Sequence, residues 1–312
     1  MQTRTYGDLF KLASALIGTG GELSTSEQDQ LSHFINRRFS EIFNASPSWP
    51  RYITVGDPRP IGTNQIISTQ GGNVGVYGAG TAAVNGLYVR NGNSIDGNPA
   101  FTLYDTDGTT ALYNLWSDSL NAWYITSQGI DDPSLAEVGD ALYLASVPQV
   151  PGDPPSSGWY VCPTCTGEEP APKANNLSSI GEFVRIHNTQ PLLNRSAREY
   201  EFYVSFAGAH ILNIESTTND TAWVTYKSEF TPFDVTVDYY TSTVEVPAEF
   251  FNFISHAVYA DFLRVQNKQE EALAEEQAAQ TFLALELEKI DLRSNNNTIN
   301  KKFSTYVNRQ AR

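Results

Sequence analysis

The chain has 312 residues, a length that suggests about two domains. Hydrophobic residues make up 40% and aromatic residues 12%, which is enough to build a core, so the composition excludes a wholly disordered chain. With 20 Lys and Arg against 35 Asp and Glu, the formal net charge is −15. This balance excludes a protein that grips nucleic acid phosphates over a broad face.

The negative charge is concentrated in the middle of the chain. Residues 1–69 carry 6 acids and 6 bases, residues 70–175 carry 11 acids and 2 bases, and residues 176–312 carry 18 acids and 12 bases. The middle segment is rich in Gly, Asn, Asp, Tyr and Trp, and 7 of the 16 prolines lie in residues 147–172. A change of composition with a Pro-rich exit marks a domain boundary or an insertion.

Two helices are predicted in the first segment. Residues 5–17 carry a helical stripe of apolar side chains, and Ser24 with Glu27 forms a candidate capping box for a helix with an apolar face over 31–43. Arg37 and Arg38 fall on the edge of that face or opposite it. The pair is therefore interpreted as a solvated helix face, with a ring of positive charge in an oligomer as the alternative.

The middle segment is predicted to be a small β module. Short aromatic or β-branched runs recur about every ten residues and are separated by turn residues such as 96–99 and 107–108. Several of its aromatic side chains form either the core of a small sheet or a sugar-stacking platform; the platform candidates are Trp116, Trp123, Tyr124 and Trp159. Its aspartates are expected in turns, with Ca²⁺ ligation as the alternative for Asp105, Asp107, Asp131 and Asp132.

The third segment combines strands with helices. Alternating patterns over 182–246 predict a second β unit, in which a strand over 199–206 precedes a turn at Gly208. A wide apolar face follows Pro247, and an Ala/Glu-rich helix over 270–290 is too polar to bury much surface within its own domain. Residues 294–312 contain four bases and no acids, and their Asn-rich start predicts a flexible arm.

Motifs of catalysis are absent from the sequence. It has no P-loop, GxSxG, HExxH or dinucleotide fingerprint, and its four histidines have no ligand spacing. Cys162 and Cys165 form the one paired cysteine motif, which is expected to be inert or oxidised, with a metal site completed by another chain as the weaker alternative. No apolar run is long enough for a membrane span, and residues 1–21 do not resemble a signal peptide. We therefore expect no enzyme, no cofactor and no membrane anchor.

Two resemblances carry a functional expectation. Residues 84–88, 97–101, 115–116 and 123–125 look like a β module found in phage and marine microbial proteins. Outside that module, three groups of residues resemble the head-to-tail adaptor proteins of tailed bacteriophages. They are the helix over 23–43, the strands at 181–187, 200–203 and 223–227, and the helical segments 246–250, 257–263 and 270–276.

The resemblance implies a fold class and a domain plan. The fold is expected to be α+β, with a helical adaptor core made from an N-terminal helix pair and long C-terminal helices, an antiparallel β unit and an inserted all-β domain. The expected boundaries are 1–69 for the N-terminal helices and first strands, 70–175 for the inserted decoration domain, 176–247 for the β unit, 248–293 for the C-terminal helices and 294–312 for the basic arm.

The resemblance also implies a function. An adaptor is a structural virion protein of the phage neck that forms a homo-oligomeric ring, expected here as a dodecamer, between the portal and the tail nozzle, and DNA passes through it without specific binding. The channel or subunit-interface candidates are Glu270, Glu271, Glu275 and Glu276, and the portal-binding candidates are Lys301, Lys302, Phe303, Tyr306, Arg309 and Arg312. The alternative function is a virion carbohydrate- or receptor-binding protein that acts through the aromatic module.

Overall fold

The structure is a computed structural model of the chain. It describes residues 4–17, 23–62, 65–95, 98–105, 108–117, 122–127, 141–146, 153–194, 196–212, 214, 220–235 and 238–310; within these ranges the side chains of 92–95, 146 and 292–310 are not described. The chain divides into two compact units. A helical unit combines Met1–Arg51 with Phe230–Arg312, and a β unit spans Tyr52–Glu229.

Four α-helices build the helical unit. They are α1 (Tyr6–Ile17), α2 (Thr25–Asn44), α3 (Ala248–Val265) and α4 (Gln269–Gln310), accompanied by a short pairing of β1 (Arg4–Thr5) with β16 (Glu245–Val246). The predicted capping box forms at the start of α2, where the backbone N–H of Ser24 donates to Glu27 Oε2 at 2.9 Å. None of the described helices has the length and apolar content that crossing a membrane requires.

Aromatic side chains fill the core of the helical unit. Phe39 of α2 stacks on Phe233 with ring centroids 4.3 Å apart, and Trp49 meets Phe250 of α3 edge-on at 4.7 Å. Phe10 of α1 stacks on Tyr239 at 5.2 Å. Aromatic pairs in these geometries add to the area that they bury. The segment that leads into α3 is thereby packed on the two N-terminal helices.

An eight-stranded antiparallel sheet is the largest part of the β unit. Its order is β10-β9-β8-β7-β6-β5-β4-β11. The strands are β4 (Val74–Tyr77), β5 (Gly86–Ile95), β6 (Asn98–Tyr104), β7 (Ala111–Ser117), β8 (Ala122–Ser127), β9 (Ala141–Ser146), β10 (Trp159–Tyr160) and β11 (Lys173–Asn176), with a 3₁₀ turn at Ala82–Val84. Alternate residues of the central strands are buried on both faces, since Leu115 and Ile125 belong to one apolar cluster, and Trp116 and Tyr124 to another.

Two three-stranded sheets complete the β unit. One has the order β12-β15-β2 and consists of β12 (Ile180–His187), β15 (Thr221–Ser228) and β2 (Ile53–Pro60). The other has the order β13-β14-β3 and consists of β13 (Phe202–Ser205), β14 (Gly208–Ile211) and β3 (Ile66–Ile67). They share one apolar cluster that includes Ile67, Ile186 and Val224. The strand predicted over 199–206 is shorter in the structure, where it runs from Phe202 to Ser205. The turn consists of Phe206 and Ala207, and Gly208, where the sequence predicts the turn, is the first residue of β14.

The expected helical adaptor core is wrong as a fold class. Among the described residues the chain is mostly β, with sixteen strands against four α-helices, and its largest element group is the eight-stranded sheet. The reason lies in where cores form. The helices pack as a unit at the two ends of the chain, whereas 52–229 encloses its own apolar clusters between sheets. The resemblance rests mainly on the helical segments at the two ends of the chain, and it underestimated the β structure of residues 52–229.

The segment that forms the eight-stranded sheet begins and ends at two points that lie next to each other in space. Its first and last strands, β4 and β11, pair with each other, and the Gly72 N–H donates to the Leu177 carbonyl at 2.9 Å. Gly71 lies against the backbone of Ser179 so closely that a Cβ would not fit. All eight strands thus fall between Val74 and Asn176, next to the boundaries expected near 70 and 175.

This geometry predicts that the sheet can be excised. Removing residues 73–176 and joining Gly72 to Leu177 should leave the apolar cluster around Ile186 and Val224 folded, because none of its members lies on the eight strands. The helical far-ultraviolet circular dichroism and a cooperative thermal transition should persist. An excision that also removes β2, an edge strand of the β12-β15-β2 sheet, is the control and should lose the transition. Loss of folding in the first variant would contradict the prediction.

Candidate functional site: the ion-pair cluster on helices α2, α3 and α4

A buried arginine joins three helices of the helical unit. Arg38 of α2 forms a bidentate pair with Asp261 of α3, with both N–O distances at 2.7 Å. Its remaining N–H groups donate to Glu41 Oε2 at 2.7 Å and to both carboxylate oxygens of Glu276 in α4, at 3.1 and 2.7 Å. All five donors of the guanidinium are therefore used. The side chains of Arg38 and Asp261 are 5% and 4% exposed, which makes this a pair in a low-dielectric interior.

Two further arginines balance the charge of the cluster. Arg37 donates to Asp261 Oδ1 at 2.9 Å, and Arg264 donates to Asp261 at 2.9 Å and to Glu276 at 3.0 Å. Three guanidinium groups thus face the three carboxylates of Glu41, Asp261 and Glu276. Such pairing is what buried charges require, because an isolated charge is costly to remove from water.

The cluster fixes the protonation of its members. Burial alone would lower the pKa of Arg38, but its hydrogen bonds and charge interactions with Asp261, Glu41 and Glu276 raise it above the ordinary arginine value. Burial alone would raise the pKa of Glu276, but the hydrogen bond and charge of Arg38, with hydrogen bonds from Arg264 and Gln280, lower it. Both groups are therefore ionised at neutral pH.

The expectation of a solvated Arg37-Arg38 face holds for one residue of the two. The Arg37 side chain is 61% exposed, whereas Arg38 is buried, because its position beside Phe39 turns it toward α3. The sequence contains a signal for this cluster that was missed. Asp261 is a lone carboxylate within the apolar run of α3, between Ala260 and Phe262, and such a residue needs a cationic partner if the run is buried.

The four glutamates proposed for a channel or subunit interface divide into two pairs. Glu270 and Glu271 are exposed on α4. Glu276 belongs to the ion-pair cluster, and Glu275 Oε2 lies 2.7 Å from His256 Nδ1 of α3. The second pair therefore holds α4 on α3, whereas Glu270 and Glu271 are exposed, and the Glu271 carboxylate lies 3.8 Å from Lys268 Nζ.

The basic segment continues the last helix. Backbone of α4 extends to Gln310, past the point where the sequence predicts an arm to begin. The side chains of Lys301, Lys302, Phe303, Tyr306 and Arg309, and the whole of Arg312, lie outside the described residues. Their role in portal binding stays a prediction.

The aromatic residues considered for a glycan platform are buried. Trp116, Trp123, Tyr124 and Trp159 are 5 to 7% exposed. The Trp116 indole N–H donates to Thr126, and its ring stacks on Tyr124 with centroids 5.0 Å apart. A stacking platform presents ring faces to solvent, so this burial favours the sheet-core alternative.

The cysteine pair is joined as a disulfide. Cys162 and Cys165 are bonded to each other, with their Cα atoms 4.9 Å apart. The thiolates that a metal site would use are therefore engaged, and no group of three His, Cys, Asp or Glu within the described residues could hold a metal ion. Of the aspartates weighed for Ca²⁺, Asp105 is described and its backbone closes a turn with Gly108 and Thr110, while Asp107, Asp131 and Asp132 lie outside the described residues.

Comparison of the chain with protein-family models, with curated proteins and with solved structures finds no match. The chemistry and geometry of its own residues therefore carry the functional argument.

Removing one partner of the buried pair should destabilise the helical unit. Arg38→Ala leaves Asp261 buried without its bidentate partner, and we expect a loss of about 3–5 kcal/mol in the free energy of unfolding. Arg37→Ala is the matched control in the same cluster; because Arg37 is largely exposed, its loss should cost at most about 1 kcal/mol. Chemical denaturation followed by helical circular dichroism measures both, and equal effects of the two variants would contradict the assignment.

The lowered pKa of Glu276 predicts a dependence of stability on pH. A carboxylate with a lowered folded-state pKa stabilises the fold above its ordinary pKa, here 4.5, and this contribution is lost as pH falls through the lowered value. Glu276→Gln should therefore be less stable than the wild type at pH 7, and the difference should shrink as the pH falls below about 4.5. Glu270→Gln, at an exposed position of the same helix, serves as the control and should be as stable as the wild type at pH 7.

Proposed function

We propose that the protein is a structural component of a tailed-bacteriophage virion, a head-to-tail adaptor that assembles with copies of itself between the portal and the tail and has no catalytic role. The observation that carries this proposal is helix α4. It is 42 residues long, or about 63 Å at 1.5 Å per residue, roughly twice the diameter of a small domain.

Few side chains of the described part of α4 are fully buried. Along residues 269–291 the buried positions are Ala272, Ala279 and Leu283, whereas Leu273 and Leu285 are 59% and 48% exposed. A long helix with one thin buried stripe contributes little to its own core and is suited to packing on other subunits. The ion-pair cluster then has a clear purpose, because it fixes the direction in which the helix leaves α2 and α3.

The charge of α4 supports two different contacts. Residues 269–291 contain seven acids and one base, and residues 292–312 contain five bases and no acids. In the proposed ring the acidic part, with Glu270 and Glu271 exposed, would repel the phosphates of passing DNA. The basic part would dock on an acidic surface of the portal. The chain enters and leaves the eight-stranded sheet through two adjacent strands, so in the proposed ring this sheet would be a decoration on the outside of the core.

Assembly is the first test of this proposal. The purified protein, alone or mixed with the portal protein of the same phage, should form particles whose mass by light scattering corresponds to about a dozen copies. Electron microscopy of the virion should place the protein at the neck. A monomer without affinity for the portal that instead binds immobilised glycans would replace the adaptor with the carbohydrate-binding alternative.

Charge reversal in the basic segment should weaken portal binding. Lys301→Glu combined with Lys302→Glu is expected to raise the Kd for the portal roughly tenfold, with a larger effect at low salt because the contact is electrostatic. Arg90→Glu combined with Lys173→Glu makes the same change of net charge at exposed positions of the eight-stranded sheet and should leave the Kd unchanged. Equal Kd values for the two double variants would remove the basic segment from the portal contact.

A further inference from the structure

A buried arginine of the β unit has one nitrogen that makes no hydrogen bond. Arg59 of β2 is 1% exposed. Its Nε donates to Asp57 Oδ2 at 3.0 Å, and its Nη2 donates to the Tyr226 hydroxyl at 3.1 Å and to the Ser178 carbonyl. Nη1, in contrast, is buried and has no hydrogen-bond partner among the described residues. Burial removes a donor from bulk water, so Nη1 requires an acceptor from another source.

The same arginine lines a cavity. This cavity has a volume of about 190 Å³ and lies where the end of β2, β3 and the eight-stranded sheet meet. Arg59 is its one charged side chain among the described residues, together with Gly62 and the hydroxyl-bearing Ser68. The rest of the described wall is apolar and consists of Pro60, Ile66, Ile67, Leu87 and Leu177. An apolar wall with a few polar groups is typical of a site for a small molecule.

The hydrogen bonds of Arg59 leave Nη1 as the nitrogen that can serve the cavity. The three nitrogens of a guanidinium point to three corners of a plane. Two of these corners are directed to Asp57, Tyr226 and Ser178, and none of these three partners belongs to the described lining of the cavity. The third corner carries the two N–H groups of Nη1. The cavity therefore combines apolar walls with one donor group of fixed position.

The charge of Arg59 is already balanced by its neighbours. Its Nε forms an ion pair with Asp57, whose side chain is 12% exposed, and its guanidinium lies 4.8 Å from the centre of the Tyr226 ring. A second anion in the cavity would give the site a net negative charge away from water, which is unfavourable. A neutral oxygen can accept from Nη1 without adding charge. The ligand is therefore expected to carry a ketone, amide or ester oxygen and no carboxylate or phosphate.

The size of the cavity limits the rest of the ligand. An apolar cavity of about 150 Å³ takes up a benzene molecule, so about 190 Å³ holds a six-membered ring with a substituent. Gly62 is exposed, and Ile66 and Leu87 are only partly buried, which gives a ligand access from the surface. Asn175 donates to Asp57 at 2.6 Å and thereby helps to hold the ion pair in place. A donor that is fixed before binding lowers the entropic cost of the complex.

We propose that this cavity is a binding site for a small neutral molecule that has a compact apolar body and one acceptor oxygen. The oxygen accepts a hydrogen bond from Arg59 Nη1, and the apolar body packs on Ile67, Leu87 and Leu177. The site goes beyond the proposed function, because nothing in a head-to-tail adaptor role requires such a ligand. It stands or falls independently of portal binding.

The first experiment compares two probes of the same shape on the unmodified full chain. Cyclohexanone has the acceptor oxygen, and methylenecyclohexane has a CH₂ group in its place. Each is titrated to low millimolar concentration into protein labelled at the isoleucine methyl groups. We expect saturable shifts of the Ile66 and Ile67 methyl signals with cyclohexanone, and a Kd about 10- to 100-fold lower than that of methylenecyclohexane, the factor of a hydrogen bond to a charged group. Cyclohexanecarboxylate, the charged probe, should bind more weakly than cyclohexanone.

The second experiment fills the cavity. Leu87→Trp places a larger side chain in the wall and should abolish the binding of cyclohexanone. Leu112→Trp is the matched control on β7, at a position 36% exposed and outside the described lining of the cavity, and should bind like the wild type. A cooperative thermal transition in each variant shows that it folds. The comparison of probes needs no variant and tests the proposal even if Leu87→Trp does not fold.

Each other outcome overturns the proposal. Equal affinity for cyclohexanone and methylenecyclohexane would mean that Nη1 makes no bond to the ligand. Binding of neither probe would mean that water alone satisfies Nη1. Tighter binding of cyclohexanecarboxylate would reject a neutral ligand, and loss of binding in both tryptophan variants would place the probe elsewhere on the protein.

Discussion

The helical unit depends on how it accommodates one buried positive charge. Arg38 lies where α2, α3 and α4 meet, and each helix supplies at least one carboxylate for it: Glu41, Asp261 and Glu276. A buried ion pair of this kind is a weak source of net stability, because removal of its charges from water costs about as much as their attraction returns. Its value lies in geometry. A planar guanidinium directs its five donors along fixed lines, so the hydrogen bonds to Glu41, Asp261 and Glu276 restrict how the three helices can lie. These hydrogen bonds fix the direction of α4 relative to α2 and α3. In the proposed ring, this direction determines where α4 would contact other subunits.

In the β unit, a sheet of eight strands is attached to two sheets of three strands. The eight-stranded sheet is held to the rest of the unit by hydrogen bonds that its last strand makes with β2. Asn175 of β11 donates to Asp57 and to the Pro58 carbonyl, and Arg59 beside them donates to Asp57 and to the Ser178 carbonyl. Burial of apolar residues on both faces gives the sheet a core of its own. The joint therefore needs few contacts, and it leaves a cavity where the two sheets meet. That cavity is lined by residues of both sheets, among them Ile67 and Leu87.

Much of the local structure follows from the sequence, but the long-range pairings do not. The alternation within residues 223–227 is a local signal, and the strand over it forms as predicted because strand patterns depend on neighbours. Of the turns predicted at 96–99 and 107–108, residues 96, 97 and 107 lie outside the described residues, and Asn98 and Pro99 belong to β6. Arg38 and Asp261 are 223 positions apart in the sequence. No local pattern indicates that they pair, so the sequence alone predicts that Arg38 is exposed to solvent. The fold class was wrong for a related reason: the share of helix and sheet in a core is decided by which segments enclose one another, and that information is not local. The sequence predicts Phe206 as the last residue of a strand because its neighbours alternate. In the structure the strand ends at Ser205, and Phe206 is the first residue of the turn.

Both units end in a surface that their own cores do not use. In the helical unit it is the outer side of α4, where acids and exposed leucines follow one another, and in the β unit it is the hairpin that carries Phe206. Each surface is supported by contacts within its own unit. The ion pair with Arg38 holds α4, and the pairing of β14 with β3 holds the hairpin. The two strands approach so closely at Gly208 that any side chain there would collide with the Ile67 carbonyl. Rigid support of an exposed apolar group lowers the conformational entropy that binding must overcome.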